Sequence, residues 1–396
     1  MKKQFLVLGA GRGQVGLIKA ARELGCEVSV ATMVTGKEPG IALADKVIEA
    51  DISSPTNVLE AIKGYQFDAV ATSCMDTPLP ALATVAEAQG LLGITADSAA
   101  ICSNKVLMKR VFQTSGVRTA PFVVLKASDS LESAHHLTLP VVVKAPDLQG
   151  SRGVFICDTW DAAKIAFGQI RTYSKSDSVV VEEFISGIEF GAQALVENGE
   201  VKFIECHGDT VFASETNIPV VHYMPFEGDK ELVADAKVQI STAIKAVGLD
   251  NCAVNVDMIN HAGEVYIIEL TGRVGANCLP ELTGARFRLD YYAEVARLAL
   301  GESTLANSGT IPDSPCLYAE MLFSDTKAGR LKSISADFSD DRIIHHRLFV
   351  AAGDEIRLFK SSNDCIGEVL VGGSSIEECQ DLVKSIRASI AIETEE

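Results

Sequence analysis

Two apolar segments joined by a short polar stretch lie between Cys252 and Leu282, and they predict a hairpin of two β-strands. Asp257 lies on the first strand and Glu269 on the second, and a glycine-rich turn carrying Arg273 follows at once. Hard cations prefer carboxylate oxygens, and arginine pairs bidentately with phosphate. This stretch therefore predicts a clamp for a magnesium ion and a polyphosphate.

The two carboxylates can act together only if the hairpin places them on one face. Side chains alternate along a strand, so the register must pair residues whose numbers have an even sum, such as Ile259 with Val265. This register predicts a loop over 260–264 and places Asn255 opposite Glu269. Thr271 and Arg273 then continue along the same face. The alternative is a pair of solvated acids, but the neighbouring positions on both strands are too apolar for an ordinary surface.

Length and charge limit the functions that this chain can have. Its 396 residues predict two or three domains, and its net charge of −18 argues against nucleic acid or an anionic membrane as a partner. The ten cysteines are scattered singly, which is typical of a reducing compartment, and we expect the cytoplasm. The apolar run over 5–8 is too short for a signal peptide, and no run of about 18 apolar residues follows.

The first hundred residues alternate short apolar runs with helical patterns. The predicted elements are strands over 5–8, 28–31 and 69–72 and helices over 15–24 and 79–89. This alternation predicts a parallel sheet with crossover helices.

A glycine-rich segment follows the first predicted strand: Gly9, Gly11, Gly13 and Gly16. The last three satisfy the G-x-G-x-x-G pattern of dinucleotide-binding folds, so an NAD oxidoreductase is one alternative. That fold needs an acidic residue at the end of the second strand, where this chain has Val30 to Met33. We therefore interpret the segment as a tight strand-to-helix turn whose amides contact a substrate anion.

The character of the sequence changes after Asn104. A helix is predicted over 105–114, and the run over 141–144 places Lys144 at the end of a buried strand. The loop that follows contains Gly150, Ser151, Arg152 and Gly153. The glycines let the backbone fold over a phosphate, and the other two side chains offer donors to it. The alternative is an ordinary hairpin loop.

A third signal lies over 179–190, where an apolar run ends in paired acids. Its polar and hinge residues are Glu182, Glu183, Phe184, Ile185 and Glu189. Such a segment suits an adenine edge that is read by backbone groups and a ribose that is held by a carboxylate.

Taken together, these stretches resemble the ATP-grasp superfamily of ADP-forming ligases over about residues 100–300. The matching elements occur in family order: Lys105, Lys144 with the glycine-rich loop, Glu182 to Glu189, Asp257, and Glu269 followed by Arg273. The resemblance implies that the two lysines contact ATP phosphates and that the segment over 182–185 binds adenine. It also implies that Glu189 binds ribose and that Asp257 and Glu269 hold Mg²⁺, with Mn²⁺ as an alternative.

The resemblance also implies a mixed α/β and α+β architecture. Residues 1–97 look like a Rossmann-like domain and 98–310 like the ATP-grasp domain, with a lid subdomain at about 118–187. Residues 311–396 look like the small C-terminal β-rich domain of L-amino acid ligases and biotin carboxylase-like members. There, turns are predicted at Gly353-Asp354 and over 367–373.

The implied reaction joins a carboxylate, expected to come from an amino acid, to an amine through an acyl phosphate. Arg273 and Lys144 are the catalytic candidates, because phosphoryl transfer depends on charge neutralisation. The substrate candidates are Glu205, His207, His222, Asn277 and Arg286. Many family members have Glu-x-Asn where this chain has Glu269-Leu270-Thr271, so Thr271, Asn277 or water would supply the third metal ligand.

Several alternatives remain open at this point. One is a purine-pathway or biotin carboxylase-like enzyme, and another is a non-catalytic nucleotide-binding module. A homodimer with small-molecule substrates is expected.

Overall fold

The protein is described here from a computed structural model that covers residues 2–36, 38–126, 128–148, 153–212, 218–304 and 316–395. Its contacts group the chain into two compact units. Unit 1 comprises 1–204, 228–274 and 292–304, and unit 2 comprises 205–227, 275–291 and 305–396. The three-domain division expected from the sequence stays a prediction.

The strands of the first half of the chain are β1 (Gln4–Leu8), β2 (Glu27–Thr32), β3 (Lys46–Glu49), β4 (Ala69–Ala71), β5 (Phe122–Lys126), β6 (Val141–Lys144), β7 (Val154–Cys157), β8 (Ser178–Glu183) and β9 (Ile188–Glu197). Those of the second half are β10 (Glu200–Phe212), β11 (Ile218–Met224), β12 (Cys252–His261), β13 (Glu264–Thr271), β14 (Cys316–Phe323), β15 (Gly329–Ser335), β16 (Ile343–Leu348), β17 (Glu355–Ile356), β18 (Cys365–Gly373) and β19 (Ala391–Thr394).

The α-helices are α1 (Val15–Glu23), α2 (Pro55–Ala61), α3 (Leu79–Gln89), α4 (Ala96–Cys102), α5 (Lys105–Ser115), α6 (Trp160–Tyr173), α7 (Lys230–Val247), α8 (Leu279–Phe287), α9 (Tyr291–Ala299) and α10 (Ile376–Ser389). Most of them begin at a side-chain cap. For example, the side chain of Asn104 accepts the N–H groups of Val106 and Leu107 at the start of α5.

The first sheet of unit 1 has the order β3-β2-β1-β4 and is parallel throughout. Its central strands are buried on both faces, as the near-continuous apolar runs of the sequence require. The predicted parallel sheet is therefore confirmed, and α3 has the predicted bounds.

The glycine-rich turn is tight because Gln14 closes it: its Oε1 accepts the Gly11 N–H at 3.0 Å and its Nε2 donates to the Ser73 carbonyl at 2.5 Å.

The second sheet of unit 1 has the order β5-β8-β6-β7, and its strands are antiparallel. Helix α6 packs against this sheet. The apolar side of α6, with Ala163, Phe167 and Ile170, is buried against the valines of β6 and β8. This packing fixes the end of β6, and with it the backbone position of Lys144.

The third group of strands in unit 1 pairs β9 with β12 and β12 with β13. The β12–β13 hairpin differs from the prediction. Its turn consists of Ala262 and Gly263, both with positive φ (52° and 88°), so the predicted loop over 260–264 is wrong. A two-residue turn of this kind fits the twist of a hairpin better than a longer loop.

The turn pairs His261 with Glu264 and thereby sets an odd register that would place the two acids on opposite faces. A β-bulge at Ile268 corrects the register, so that Asp257 lies opposite Glu269. Asn255 consequently pairs with Thr271, whereas the sequence analysis predicts that it lies opposite Glu269. The predicted common face of the two carboxylates is confirmed, but its cause is the bulge and not an even-numbered register along the whole hairpin.

Unit 2 contains an antiparallel sheet in which β11, β14, β18 and β16 are successive neighbours and β10 pairs with β11. Helix α8 packs on this sheet, with Leu279 and Leu282 against Leu317 and Leu370. A smaller sheet has the order β17-β15-β19. Gly353 lies in a turn as predicted, but residues 367–373 lie within β18, so the predicted turn there is wrong.

The ten cysteines all lie in the described ranges, and none forms a disulfide. In the same ranges, no helix has both the length and the hydropathy that a membrane span requires.

Gly16 gives a direct test of the packing at the start of α1. A Cβ atom at this position would lie 2.2 Å from Cε2 of Tyr292, whereas one at Gly168, within α6, would meet nothing within 4 Å. We expect Gly16→Ala to lower the free energy of unfolding by about 1–3 kcal/mol through overpacking. Gly168→Ala should raise it by up to about 1 kcal/mol through helix propensity. Denaturant unfolding of both variants measures the difference, and equal changes would contradict the described packing.

Candidate active site

The bulged hairpin of unit 1 presents two carboxylates side by side. Asp257 is exposed and Glu269 is half-buried, so both can reach a ligand from solvent. The Nδ2 of Asn255 donates to Asp257 Oδ1 at 3.1 Å, and the Nε2 of Gln193 on β9 donates to Asn255 Oδ1 at 2.6 Å. These two hydrogen bonds orient the Asp257 carboxylate. The donor set of two carboxylates fits a hard divalent ion.

Lys105 lies beside the acidic pair. Its Nζ donates to the Leu148 carbonyl at 2.7 Å and is 3.3 Å from Glu269 Oε2. The backbone N–H of Lys105 donates to the Pro146 carbonyl at 3.1 Å, which ties the start of α5 to the segment after β6. The predicted phosphate-binding lysine thus contacts both the segment that leads into the glycine-rich loop and one of the predicted metal ligands.

Lys144 makes an ion pair with Glu182, and Lys109 joins the same carboxylate from α5 at 2.6 Å. All three side chains are largely buried. Burial alone would raise the pKa of Glu182, but the two ammonium groups outweigh it and lower that pKa to about 2. Burial lowers the pKa of Lys109. Because two lysines share one carboxylate, the group has a surplus of positive charge, which suits a phosphate.

Lys109 was not predicted from the sequence. It is four residues after Lys105 and so lies on the same face of α5. Its Nζ also donates to Thr119 Oγ1 at 2.8 Å and to the Ala120 carbonyl at 3.3 Å. The helical spacing from Lys105 was the signal that could have identified it.

The hinge predicted to bind adenine follows β8. The N–H groups of Glu183 and Phe184 donate to the carbonyls of Pro121 and Pro140, both at 2.9 Å. The Glu183 carboxylate accepts the Thr138 N–H at 2.8 Å. A base at this hinge would therefore use the carbonyl groups of the two residues or the backbone of Ile185.

Glu189 is the second residue of β9, two residues after Gly187, and it is exposed. A Cβ at Gly187 would lie 2.1 Å from the Asn260 carbonyl oxygen, so only glycine lets the chain pass this close to β12. The close passage fixes where Glu189 leaves the hinge.

Arg273 is held by a residue that sequence reasoning missed. Its Nε and Nη2 donate to the two oxygens of Asp76 at 2.6 and 2.9 Å, and Thr271 Oγ1 donates to Asp76 Oδ1 at 2.7 Å. Burial would raise the pKa of Asp76, but Arg273 outweighs it and holds that pKa below its ordinary value. Asp76 follows β4 at the carboxyl edge of the parallel sheet, where functional residues of such sheets concentrate. That position was the available signal.

The Thr271 hydroxyl donates its proton to Asp76, and only the lone pairs of its oxygen are then available to a metal ion. Of the glycine-rich loop, Gly150, Ser151 and Arg152 lie outside the described residues. Gly153 is described and has a φ of +67°, and its carbonyl accepts the Ala145 N–H at 2.9 Å.

The five predicted substrate residues belong to unit 2. Arg286 Nε donates to Glu205 Oε1 at 2.8 Å. His207 and His222 both contact Asp209 Oδ1 through Nδ1, at 2.8 and 2.6 Å.

Burial would raise the pKa of Asp209, but the two imidazoles outweigh it and lower that pKa. Asp209 was not predicted. The Nε2 of His222 is buried and lacks a hydrogen-bond partner among the described residues. Asn277 is half-buried, and its Nδ2 is 3.5 Å from the Pro219 carbonyl oxygen.

Comparisons with known proteins identify the family to which the chain belongs. Residues 103–217 match the model of the phosphoribosylglycinamide synthetase ATP-grasp (A) domain, and 321–395 match L-amino acid ligase C-terminal domain 2. The D-alanine–D-alanine ligase of Pelobacter propionicus is 26% identical over 220 residues, which cover 54% of this chain and 70% of that protein.

Two crystal structures resemble the chain over its full length. Phosphoribosylglycinamide synthetase from Anaerococcus prevotii has a TM-score of 0.87 and 40% identity, with 100% of both chains covered. L-amino acid ligase from Bacillus licheniformis has a TM-score of 0.84 and 18% identity, with 100% of this chain and 99% of that one covered, and this likeness supports the fold alone. As the sequence predicted, the chain belongs to the ATP-grasp family of ADP-forming ligases.

Proposed function

We propose that this ligase joins the carboxylate of an amino acid to the amine of a second amino acid, using ATP and releasing ADP and phosphate. The observation that carries the nucleotide part is the arrangement in unit 1. Asp257 and Glu269 oppose each other on the hairpin, and Lys105 contacts Glu269. The match of 321–395 to an L-amino acid ligase domain supports the substrate class.

In this proposal Asp257 and Glu269 hold Mg²⁺, for which Mn²⁺ can substitute. The ion, when bound, would neutralise charge on the ATP phosphates. Lys105 and Lys144 supply further positive charge to the phosphates. Glu182 orients the Lys144 ammonium, and the hinge after β8 binds the base while Glu189 binds the ribose.

The reaction begins when a carboxylate oxygen attacks the γ-phosphorus and the bond to the ADP oxygen breaks, which gives an acyl phosphate. The amine then attacks the acyl carbon, phosphate leaves and the amine loses a proton. Arg273 stabilises the negative charge that the acyl phosphate carries, because Asp76 fixes its guanidinium in one orientation.

Charge in unit 2 favours an amino acid over a phosphorylated substrate. Arg286 is paired with Glu205, and the two histidines share Asp209. Each of these nitrogen-bearing side chains therefore already contacts a carboxylate. A zwitterionic amino acid, with one group of each sign, matches such a mixed set better than a phosphate, which needs uncompensated positive charge.

A second candidate function is supported by the 40% identity to the Anaerococcus prevotii protein. The name of that protein implies an amide formed from the carboxylate of glycine on a phosphoribosyl amine. The chemistry of the bond is the same, and only the amine differs.

A homodimer is part of the proposal for this chain, and light scattering of the purified protein measures its oligomeric state.

A panel assay of ADP release tests both candidates. Purified enzyme with ATP and Mg²⁺ is mixed with pairs of amino acids, or with glycine and phosphoribosylamine. Release that depends on amino acid pairs supports the proposal, and release that depends on phosphoribosylamine supports the second candidate. Absence of ADP release with both mixtures would contradict both candidates.

Glu269→Gln tests the metal site on the substrates found in this panel. The change preserves shape but removes the charge that a divalent ion needs, so we expect substrate-dependent ADP release to fall by at least a hundredfold. Glu264→Gln is the matched control, because Glu264 lies on the same strand near the turn and is exposed. Near-normal turnover in Glu269→Gln would show that the metal site is assigned wrongly.

Arg273→Lys tests the oriented guanidinium. Lysine keeps the charge but loses the bidentate contact with Asp76, so turnover at saturating ATP should fall by roughly ten- to a hundredfold while KM for ATP changes little. Arg118→Lys removes a similar bidentate pair, that of Arg118 with Asp235, and serves as the control. Steady-state kinetics that show equal losses in both variants would assign Arg273 a structural role only.

A further inference from the structure

A cluster of three chemically different side chains lies in unit 2, among residues to which the proposed reaction assigns no role. Cys278 precedes α8, His345 lies on β16 and Glu368 lies on β18. One potential ligand atom from each, the thiol sulfur, an imidazole nitrogen and a carboxylate oxygen, lies within 4.8 Å of the others.

The backbone that carries Cys278 is in an unfavourable conformation. Asn277 and Cys278 are consecutive non-glycine residues with positive φ, 57° and 68°. Such conformations are uncommon for residues other than glycine, and they concentrate at functional sites. Cys278 also occupies the N-cap of α8 without making a side-chain capping bond, although Ser, Thr, Asp or Asn would do so. Neither helix capping nor backbone preference explains a cysteine here.

The sheet brings the other two residues to the same face. On β16 a register shift lies between Ile343 and His345, and His345 then pairs with Leu370 of β18. Glu368 is two residues from Leu370 and therefore lies on the same face as it. Leu370 belongs to the apolar cluster that also contains Cys278, so α8 covers this face. The register shift is what aims His345 at Glu368, with Nε2 at 3.2 Å from Oε1.

The chemistry of the three groups is selective. Thiolate, imidazole and carboxylate together are typical ligands of Zn²⁺ and neighbouring transition metals, and not of Mg²⁺ or Ca²⁺. The nitrogen-to-oxygen distance of 3.2 Å is close to the ~3.3 Å separation of two ligands at a tetrahedral zinc ion.

Charge and access also fit a cation. Glu281 in the first turn of α8 adds negative charge near His345, while Arg347 opposes it with one positive charge. Cys278 is buried, whereas the side chain of His345 is 31% exposed, so an ion can enter from the His345 side.

We propose that Cys278, His345 and Glu368 form a binding site for one zinc-class divalent ion in unit 2, with a fourth position left for water or another small ligand. The site is separate from the carboxylate pair of unit 1 in both residues and metal preference. It does not depend on the proposed amino acid substrates.

Cobalt substitution tests the site directly. A cobalt ion bound by a thiolate produces a charge-transfer absorption band in the near ultraviolet, which imidazole and carboxylate ligands do not produce. The full-length protein without bound metal is titrated with Co²⁺, and then with Zn²⁺ as competitor. We expect the band to saturate at one equivalent of Co²⁺, and Zn²⁺ to remove it. Zn²⁺ should also raise the Tm, since it binds the folded state.

Matched variants separate this site from other metal-binding groups. Cys278→Ser should abolish the band, and His345→Gln and Glu368→Gln should each weaken Co²⁺ binding at least tenfold. Cys316→Ser and His346→Gln should leave it unchanged, because Cys316 is another thiol of unit 2 and His346 is the next residue on β16, stacked on Phe338. Circular dichroism checks that each variant is folded.

Absence of the charge-transfer band in the wild type would overturn the proposal. Persistence of the band in Cys278→Ser would also overturn it. Binding of Co²⁺ without the band would place the ion elsewhere, for example at His207, Asp209 and His222, which also come close together.

Discussion

The β-bulge at Ile268 is the local feature on which the candidate active site depends. The two-residue turn at Ala262 and Gly263 imposes one register near the tip of the hairpin, and that register would point Asp257 and Glu269 to opposite faces. One inserted residue reverses the alternation for the rest of the strand, and the two carboxylates become direct neighbours. The bulge thus lets one hairpin combine the favourable two-residue turn with two carboxylates on a common face. Its strands are ten and eight residues long.

The second constraint is electrostatic. A chain with a net charge of −18 must bind a polyphosphate, so positive charge has to be concentrated at the site. Lys109 and Lys144 around Glu182 carry one positive charge in excess, in a buried setting where it is little screened. The Asp76–Arg273 pair is neutral and bidentate, which suits it to orientation more than to attraction of the nucleotide. In the proposed function, the lysine group therefore binds the nucleotide, and Asp76 orients the guanidinium of Arg273.

Sequence reasoning identified the family and most of these residues because their types and order are local. The parallel sheet followed from the apolar runs, and α3 was predicted with its observed bounds. The bulge could not be predicted, since hydrophobic alternation does not reveal one inserted residue. Asp76 was missed because its partner Arg273 is almost 200 residues away in the chain, and only the folded sheet brings them together. The glycines over 367–373 were assigned to a turn, but they lie in a strand, at positions such as Gly367 where a side chain would meet the neighbouring backbone.

The central claim is that the amino acid carboxylate is activated by direct phosphorylation. Isotope transfer tests it most directly. The amino acid whose carboxylate is phosphorylated is labelled with oxygen-18 in that carboxylate, and the phosphate released during amide formation is analysed by mass spectrometry. An acyl-phosphate route requires one labelled oxygen to pass from the carboxylate to the phosphate in each turnover. Phosphate that carries no label, at a rate equal to ADP release, would show that water attacks ATP and would contradict the account.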